Sequence, residues 1–327
     1  MKVSIITRRA VVALAAVTAV AAVGACGSTD DGSSDDASGS VQVQTANGPV
    51  TIDGTPHKIV TIGSQWTETV IALGEQPVAY YDAVKATTQA RAPWLEGKVG
   101  DGREIDVKKD IVTQIADLDP DVIFTQGSTT DAATLKKLQD TGIPVIAAVG
   151  KGQVDSWQDL LTAAGTALRK EDEAAAVKTS IDEKIAAIKA DNPGLAGKTY
   201  SFAAFQTPTM ITLLADDNDG AAALFGELGL RFPQAQVDRA KAEGASRFQV
   251  SPENVQILDS DLLVIAAVSD ELKNTLQNLP SYKSLTSVRN GAVAWMSYVD
   301  IFGLNTPSAL SVPALLDKLT PAIAAVK

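Results

Sequence analysis

Cysteine and histidine are almost missing from this chain, because its 327 residues contain only Cys26 and His57. One cysteine excludes an internal disulfide, and nucleophilic catalysis needs a base beside the nucleophile. His57 precedes a predicted strand with no such partner and is interpreted as a solvated residue. Zinc and manganese sites combine several histidine, cysteine or carboxylate ligands. The sequence therefore indicates no enzyme, no binder of bare metal ions and no cofactor, and any iron would have to arrive inside a chelator.

Positive charge is also scarce. The chain has 28 lysine and arginine residues against 39 aspartate and glutamate residues, a formal charge of −11. Loss of residues 1–25 would remove Lys2, Arg8 and Arg9 but no acid, leaving 25 − 39 = −14. Nucleic-acid binding needs clustered lysine and arginine to meet the phosphates. The composition thus excludes nucleic acid as a partner.

The N-terminus carries an apolar run from Ala10 to Ala25, which follows the basic residues just named. This run is shorter than the roughly 20 residues that a membrane-spanning helix needs, and it is typical of a signal peptide. Residues 27–40 contain only Gly, Ser, Thr, Asp and Ala, a composition that cannot form a core. We therefore predict a signal peptide over residues 1–25 and a flexible linker over 26–48.

The rest of the chain alternates between apolar β-branched runs and helix-like segments, a pattern that predicts α/β units. In the first half, strands are predicted at 58–62, 77–80, 121–124 and 144–148, with a long loop at 82–106. In the second half, strands are predicted at 199–205, 210–214, 262–267 and 292–296. Helices of the second half are predicted at 220–228, 253–258, 270–278 and 308–325.

One long helix separates the two halves. Apolar residues recur at helical spacing at Ala174, Val177, Ile181, Ile185 and Ile188. Twenty helical residues span about 30 Å, enough to bridge two bodies. The predicted fold is α/β, with two Rossmann-like lobes of mainly parallel sheet, residues 49–170 and 193–327, joined by a single helix at 171–192.

A weak internal repeat supports two lobes of one design. Residues Gln114 to Ile123 match Asn254 to Leu263 at an offset of 140 positions. Both copies read as a short helix, an acidic turn and a buried strand. The repeat aligns Thr113 with Glu253.

Several segments, taken in order, resemble the periplasmic solute-binding proteins that serve importers of ferric siderophores and cobalamin. These segments are Lys58–Ile62 with Glu68, Leu118–Ile123, Gly142–Val145, Leu195–Lys198 and Ser251–Asn254. Val23–Cys26 also resembles a bacterial lipobox, whose cysteine carries a diacylglycerol after cleavage.

The resemblance implies a monomeric lipoprotein anchored at Cys26 on the extracytoplasmic face of the cell membrane. It would capture an iron(III)–siderophore between its lobes and deliver it to the permease of an ABC importer. Two alternatives stay open. One is a cobalamin or haem binder of the same family, and the other is an extracellular lipoprotein enzyme or cell-wall interaction protein.

The resemblance also places the ligand at the carboxyl ends of the strands, as in open α/β sheets generally. The candidate ligand residues near those ends are Trp66, Tyr81, Gln126, Phe205, Tyr298 and Phe302. Three arginines in loops are further candidates: Arg91 and Arg103 after the second strand, and Arg247 in a C-lobe loop that borders the cleft. A guanidinium suits chelator oxygens because its planar donors form two bonds at once. Core packing is an equally good interpretation for each aromatic residue, as is a surface position for each arginine.

Transporter docking is the last role that the resemblance implies. Ser251–Asn254 resembles a segment whose exposed glutamate pairs with an arginine of the permease, which points to Glu253. A helix-capping acid is the alternative interpretation. Because the repeat partner is Thr113, we expect Asp110, one helical turn earlier, to take the corresponding place on the first lobe.

Overall fold

The computed structural model describes residues 39–127, 129–150 and 154–327. The predicted signal peptide, Cys26 and the linker up to residue 38 lie outside them. The described chain begins with an antiparallel hairpin, β1 (Ser40–Thr45) and β2 (Gly48–Asp53), which packs Val43 and Ile52 into the core. The linker predicted over 26–48 is therefore wrong from residue 40 onward, because alternating valines there form a strand with one buried face.

The N-lobe sheet is fully parallel, in the order β5-β4-β3-β6-β7. Its strands are β3 (Ile59–Ile62), β4 (Ala79–Tyr81), β5 (Arg103–Glu104), β6 (Val122–Thr125) and β7 (Val145–Ile146). Its helices are α1 (Ser64–Ala72), α2 (Ala83–Thr88), α3 (Ile111–Ala116) and α4 (Ala132–Gln139).

The long loop predicted at 82–106 is wrong, since this segment contains α2 and β5. Asp82 caps α2 by accepting a hydrogen bond from the backbone N–H of Lys85 at 2.9 Å. A side-chain oxygen in this position stabilises a helix start. The strand β5 forms only by pairing with β4, a tertiary contact that no local pattern announces.

The chain passes from the first sheet to the second once, through α5 (Trp157–Leu168) and α6 (Glu171–Asp191). Acidic residues occupy the first turn of α6, where the helix dipole favours negative charge. Its buried face carries Ala174, Ile181, Ile185 and Ile188 and contacts α5 and the last helix of the chain. A helix of this length is about 30 Å long.

The C-lobe sheet is mixed, in the order β10-β9-β8-β11-β12, with β9 antiparallel to both of its neighbours. Its strands are β8 (Tyr200–Thr207), β9 (Met210–Leu214), β10 (Arg247–Val250), β11 (Leu262–Ala267) and β12 (Val293–Met296). Its helices are α7 (Gly220–Glu227), α8 (Gln234–Glu243), α9 (Asp270–Asn278), α10 (Pro280–Lys283), α11 (Thr286–Asn290), α12 (Tyr298–Asn305) and α13 (Ser311–Ile323).

Short 3₁₀ helices occupy Pro193–Leu195 and Pro252–Leu258. The α-helix predicted at 253–258 is therefore a 3₁₀ helix, kinked at Asn254. The predicted α/β fold with two lobes is confirmed. Within the described residues, every helix is too short or too polar to cross a membrane.

Candidate functional site

The carboxyl ends of the two sheets face each other. The helix α2, which follows β4 in the N-lobe, contacts α12, which follows β12 in the C-lobe. Beside this contact, the indole of Trp94 packs on Gly303 of α12. This junction lies where the resemblance places the ligand and where an open α/β sheet generally binds one, and we refer to it as the inter-lobe cleft.

An arginine is fixed on the N-lobe side of the cleft. Arg91 donates through Nη2 to the hydroxyl of Tyr80 at 2.9 Å, and its Nε lies 3.4 Å from the carboxylate of Asp82. The Asp82 side chain is only 1% exposed, whereas that of Arg91 is 30% exposed. Burial raises the pKa of Asp82, although the N–H of Lys85 and the charge of Arg91 oppose this effect. The aspartate holds the guanidinium in place while part of it faces solvent.

A second arginine is fixed in the same way within the C-lobe. Nη1 of Arg247 lies 2.5 Å from the buried carboxylate of Asp219, and Nη2 lies 3.2 Å from Oδ1 of Asn305. Asp219 also caps α7 through the N–H of Ala221 at 2.9 Å. Each lobe therefore uses one buried aspartate both to cap a helix and to orient an arginine. Arg91 follows the carboxyl end of β4, whereas Arg247 begins β10 and lies level with Phe202 near the start of β8, so its predicted place in a loop is wrong.

Arg247 borders a small cavity of about 110 Å³. Its polar lining includes Gln206, Thr212 and Asn305. Oε1 of Gln206 accepts a hydrogen bond from the Thr212 hydroxyl at 2.9 Å, and its Nε2 lies 3.4 Å from the hydroxyl of Tyr298. The side chains that line this cavity include hydrogen-bond donors, which suit the acceptor oxygens of a chelator.

Two of the predicted aromatic residues lie together on α12. The rings of Tyr298 and Phe302 meet edge to face, with centroids 5.6 Å apart and planes at 76°. Both are partly exposed. Tyr81 ends β4 and is partly buried, and burial, together with the charges of Asp82 and Asp106, raises its pKa.

Two other aromatic residues belong to the lobe cores, so their predicted contact with a ligand is wrong. Trp66 and Phe205 are both 0% exposed. Trp66 donates from Nε1 to the carbonyl of Thr125 at 2.9 Å and lies 4.9 Å from the Phe124 ring. Both residues are close to strand ends in the sequence, but their side chains point into the cores, where burial stabilises them.

The remaining two ligand candidates differ in exposure. Gln126 is 7% exposed, and its Nε2 donates to Oε1 of Gln65 at 2.8 Å. Its amide is thus occupied inside the molecule rather than directed to a ligand. Arg103 is exposed on the edge strand β5 and has no ion-pair partner among the described residues. Its role in ligand binding stays a prediction.

A buried polar contact between the lobes was not predicted. Glu68 on α1 is 2% exposed and accepts a hydrogen bond from the hydroxyl of Ser308 at 2.5 Å. Burial raises the pKa of Glu68 to about 7, with Ser308 and the nearby Trp94 indole acting in the opposite direction. The Trp94 N–H has no hydrogen bond of ordinary geometry. The only sequence signal was a carboxylate on a helix whose other residues are apolar or uncharged.

The two predicted docking acids are both exposed. Glu253 lies in the first turn of the 3₁₀ helix and borders a surface cavity of about 610 Å³ with Arg239 and Gln249. Asp110 caps α3 by accepting from the N–H of Thr113 at 2.7 Å, which lowers its pKa. Asp110 is therefore engaged in its own helix, whereas Glu253 has no ion-pair partner in the described part of the chain.

Within residues 39–127, 129–150 and 154–327, no three histidine, cysteine, aspartate or glutamate side chains come together in a way that could hold a metal ion.

Comparison with known proteins identifies the family. Residues 59–297 match the sequence profile of the family described as periplasmic binding protein. The chain belongs to this family. The resemblance noted in its sequence is thereby confirmed at the level of the family.

Three relatives illustrate the likeness. The probable siderophore-binding lipoprotein YfiY of Bacillus subtilis (strain 168) is 24% identical over 286 residues, covering 81% of this chain and 83% of YfiY. A periplasmic solute-binding protein of Mycobacterium smegmatis is 24% identical with a TM-score of 0.72, covering 88% of this chain and 99% of its own. PiaA of Streptococcus pneumoniae in complex with ferrichrome is 23% identical with a TM-score of 0.68, at 88% and 99% coverage. The two structural matches establish the shared fold.

Proposed function

We propose that this protein captures an iron(III)–siderophore in the inter-lobe cleft and delivers it to an ABC importer. The observation that carries the proposal is the matched pair of arginines, Arg91 and Arg247, each oriented by a buried aspartate of its own lobe. The family membership, the name of YfiY as a probable siderophore-binding lipoprotein and the ferrichrome complex of PiaA support the same ligand class. The protein would act as a monomer and a binder, without catalysis and without a resident cofactor.

The proposed binding mode follows from the side chains at the cleft. Guanidinium N–H groups of Arg91 and Arg247 that are not used by their aspartates would donate to chelator oxygens. Tyr298 and Phe302 would cover the apolar part of the ligand, since aromatic rings contribute large contact areas. Because one helical passage, α5 and α6, connects the lobes, little lobe movement is expected on binding.

Native mass spectrometry of the chain against a panel of ferric chelates tests this proposal. The panel should contain ferric hydroxamates, catecholates and carboxylates, together with haem, cobalamin and bare Fe³⁺. We expect one ferric chelate to bind with micromolar or tighter affinity and bare Fe³⁺ to bind far more weakly. Selective binding of haem or cobalamin, or no binding by any ferric chelate, would contradict the siderophore assignment.

Location and delivery form part of the same proposal. The protein would be held on the extracytoplasmic face of the cell membrane through a lipid on Cys26, in keeping with the lipoprotein name of YfiY. Glu253 would pair with a basic residue of the permease, because it is exposed and has no ion-pair partner in the described residues. Charges at the rim of an interface mainly affect encounter and orientation. Asp110 is the weaker candidate on the N-lobe, since its carboxylate already caps α3.

A further inference from the structure

Two polar side chains on one face of α1 form hydrogen bonds with the C-lobe. Nε2 of Gln65 donates to the carbonyl of Pro307 at 2.6 Å, and Glu68 accepts from the hydroxyl of Ser308 at 2.5 Å. Residues three apart lie on the same face of a helix. Both contacts therefore fall on one short segment, the turn Pro307–Ser308 that joins α12 to α13.

This turn is organised around a single hydroxyl group. Oγ of Ser308 accepts hydrogen bonds from the N–H groups of Leu310, at 3.2 Å, and Ser311, at 3.0 Å, while it donates to Glu68. The hydroxyl has one proton, so Glu68 receives it. The position of the turn, and with it the end of α12, thus depends on the carboxyl group of the opposite lobe.

Among the residues that the structure describes, no cation contacts Glu68 in this position. The charges that act on it are those of Asp82, at the start of α2, and Lys98, in the loop that follows. The carboxylate of Asp155, which is close to Gln65, is turned to the N–H groups of Val149 and Gly150. A buried carboxylate with no compensating cation favours its neutral form. Consistent with this, burial raises the pKa of Glu68 to about 7.

We propose that Glu68 is a positioning residue of the cleft. Its protonated form holds the turn Pro307–Ser308 against α1 and so fixes α12, and its ionisation weakens this contact. The hydrogen bond from Ser308 favours the ionised form, but the loss of hydration in the closed contact outweighs it, because the charge regains water only when the lobes part slightly. Since α12 carries Tyr298 and Phe302, the cleft wall is held more firmly in mildly acidic than in alkaline medium. The inference rests on the proposed function only for the role of that wall in ligand binding.

The composition of the chain makes the inference easy to test. A response near neutral pH is normally the property of histidine. The chain has a single histidine, His57, which is exposed just before β3. His57→Gln is therefore a control that removes the only histidine of the chain and leaves the lobe contact untouched.

The direct measurement is a pH titration of the full-length chain labelled with ¹³C at its glutamate carboxyl carbons. We expect the Glu68 signal to titrate near pH 7. A Glu68 midpoint near 4.5 in the folded protein would overturn the proposal. This titration needs no variant, so it remains decisive even if a substitution at Glu68 prevents folding.

The second measurement is hydrogen exchange of the α12 amides between pH 5.5 and 8.5, corrected for intrinsic exchange. Wild-type protein and His57→Gln should lose protection in α12 by on the order of tenfold across this range, because local opening sets the exchange rate. Glu68→Gln should show no such loss. A pH profile in Glu68→Gln that matches the wild type would overturn the proposal. Neither measurement uses a ligand, so a failure to bind any ferric siderophore would overturn the proposed function without changing these results.

Discussion

Trp94 of the N-lobe and Gly303 of the C-lobe meet so closely that no side chain fits between them. A Cβ atom on Gly303 would lie 2.5 Å from Cη2 of Trp94 and 3.0 Å from Cδ1 of Leu315. The glycine sits inside α12, where this residue type is otherwise unfavourable. Its presence is explained by the close approach of the two lobes.

The first prediction concerns this contact. Gly303→Ala should lower the free energy of unfolding by about 1–3 kcal/mol, because overpacking outweighs the gain in helix propensity. The matched control is Gly226→Ala in α7, where an added Cβ meets nothing within 4 Å. The control should raise stability by up to about 1 kcal/mol. Urea unfolding of both variants measures the effect, and equal stabilisation of the two would show that the lobes are not tightly packed at Gly303.

The second prediction concerns the arginine in the C-lobe wall. Arg247→Lys keeps the charge but loses the planar set of donors, so we expect binding of the best ferric siderophore to weaken by about tenfold. Arg239→Lys is the control, because Arg239 pairs with Glu243 on the exposed face of α8. Calorimetric titration at constant pH compares them. Unchanged affinity in Arg247→Lys would remove this residue from the ligand site.

The third prediction is a pH dependence of stability caused by Glu68. The folded-state pKa of about 7 exceeds the ordinary value of 4.5, so the stabilising contribution is complete below pH 4.5 and is lost as pH rises to 7. At about 1.4 kcal/mol for each pH unit, the full loss amounts to about 3 kcal/mol. The free energy of unfolding of the wild type and of Glu68→Gln is measured with denaturant between pH 4.5 and 8 and plotted against pH. The wild-type curve should fall by this amount relative to that of Glu68→Gln. Parallel curves would contradict the prediction.

The fourth prediction separates docking from ligand binding. Glu253→Lys should leave siderophore affinity unchanged and should reduce uptake in cells, since the charge reversal acts on encounter with the permease. Glu243→Lys, on the same lobe but paired with Arg239, serves as a control for the added positive charge. Wild-type uptake at equal protein levels in Glu253→Lys would leave the glutamate with a local structural role only.

The fifth prediction concerns membrane attachment. Cys26→Ala should release the protein into the soluble fraction, because no other cysteine in the chain could carry a lipid. Fractionation of cells that express wild type and variant, followed by immunoblotting, measures the change. Equal membrane association in both would contradict lipid anchoring at this residue.

Much of the fold was predictable because it depends on local patterns. The β-branched run before Gly63 and the apolar spacing in α6 placed β3 and the connecting helix to within one or two residues. Short elements were not predictable. The strand β5 has two residues and exists only because β4 pairs with it. The helix α12 was missed although Ser297 and Asp300 form a capping box at its start.

The candidate site was predicted less well than the fold. Proximity to a strand end indicated which residues could reach the cleft, and Arg91 does follow the carboxyl end of β4, whereas Arg247 begins β10 instead of lying in a loop. It could not indicate that Trp66 and Phe205 point into the cores, because that depends on packing around the complete sheet. The contact between Glu68 and Ser308 joins residues 240 positions apart, a distance over which no pattern in the sequence is informative.

The two edges of the N-lobe sheet are very short. Both β5 and β7 contain two residues, and β5 presents the charged pair Arg103 and Glu104. An exposed strand edge is a template on which another chain can pair and begin to aggregate. Edges of this length give a neighbouring molecule almost no backbone to pair with. The N-lobe is thereby protected against edge-to-edge association even where many copies of the protein are crowded together.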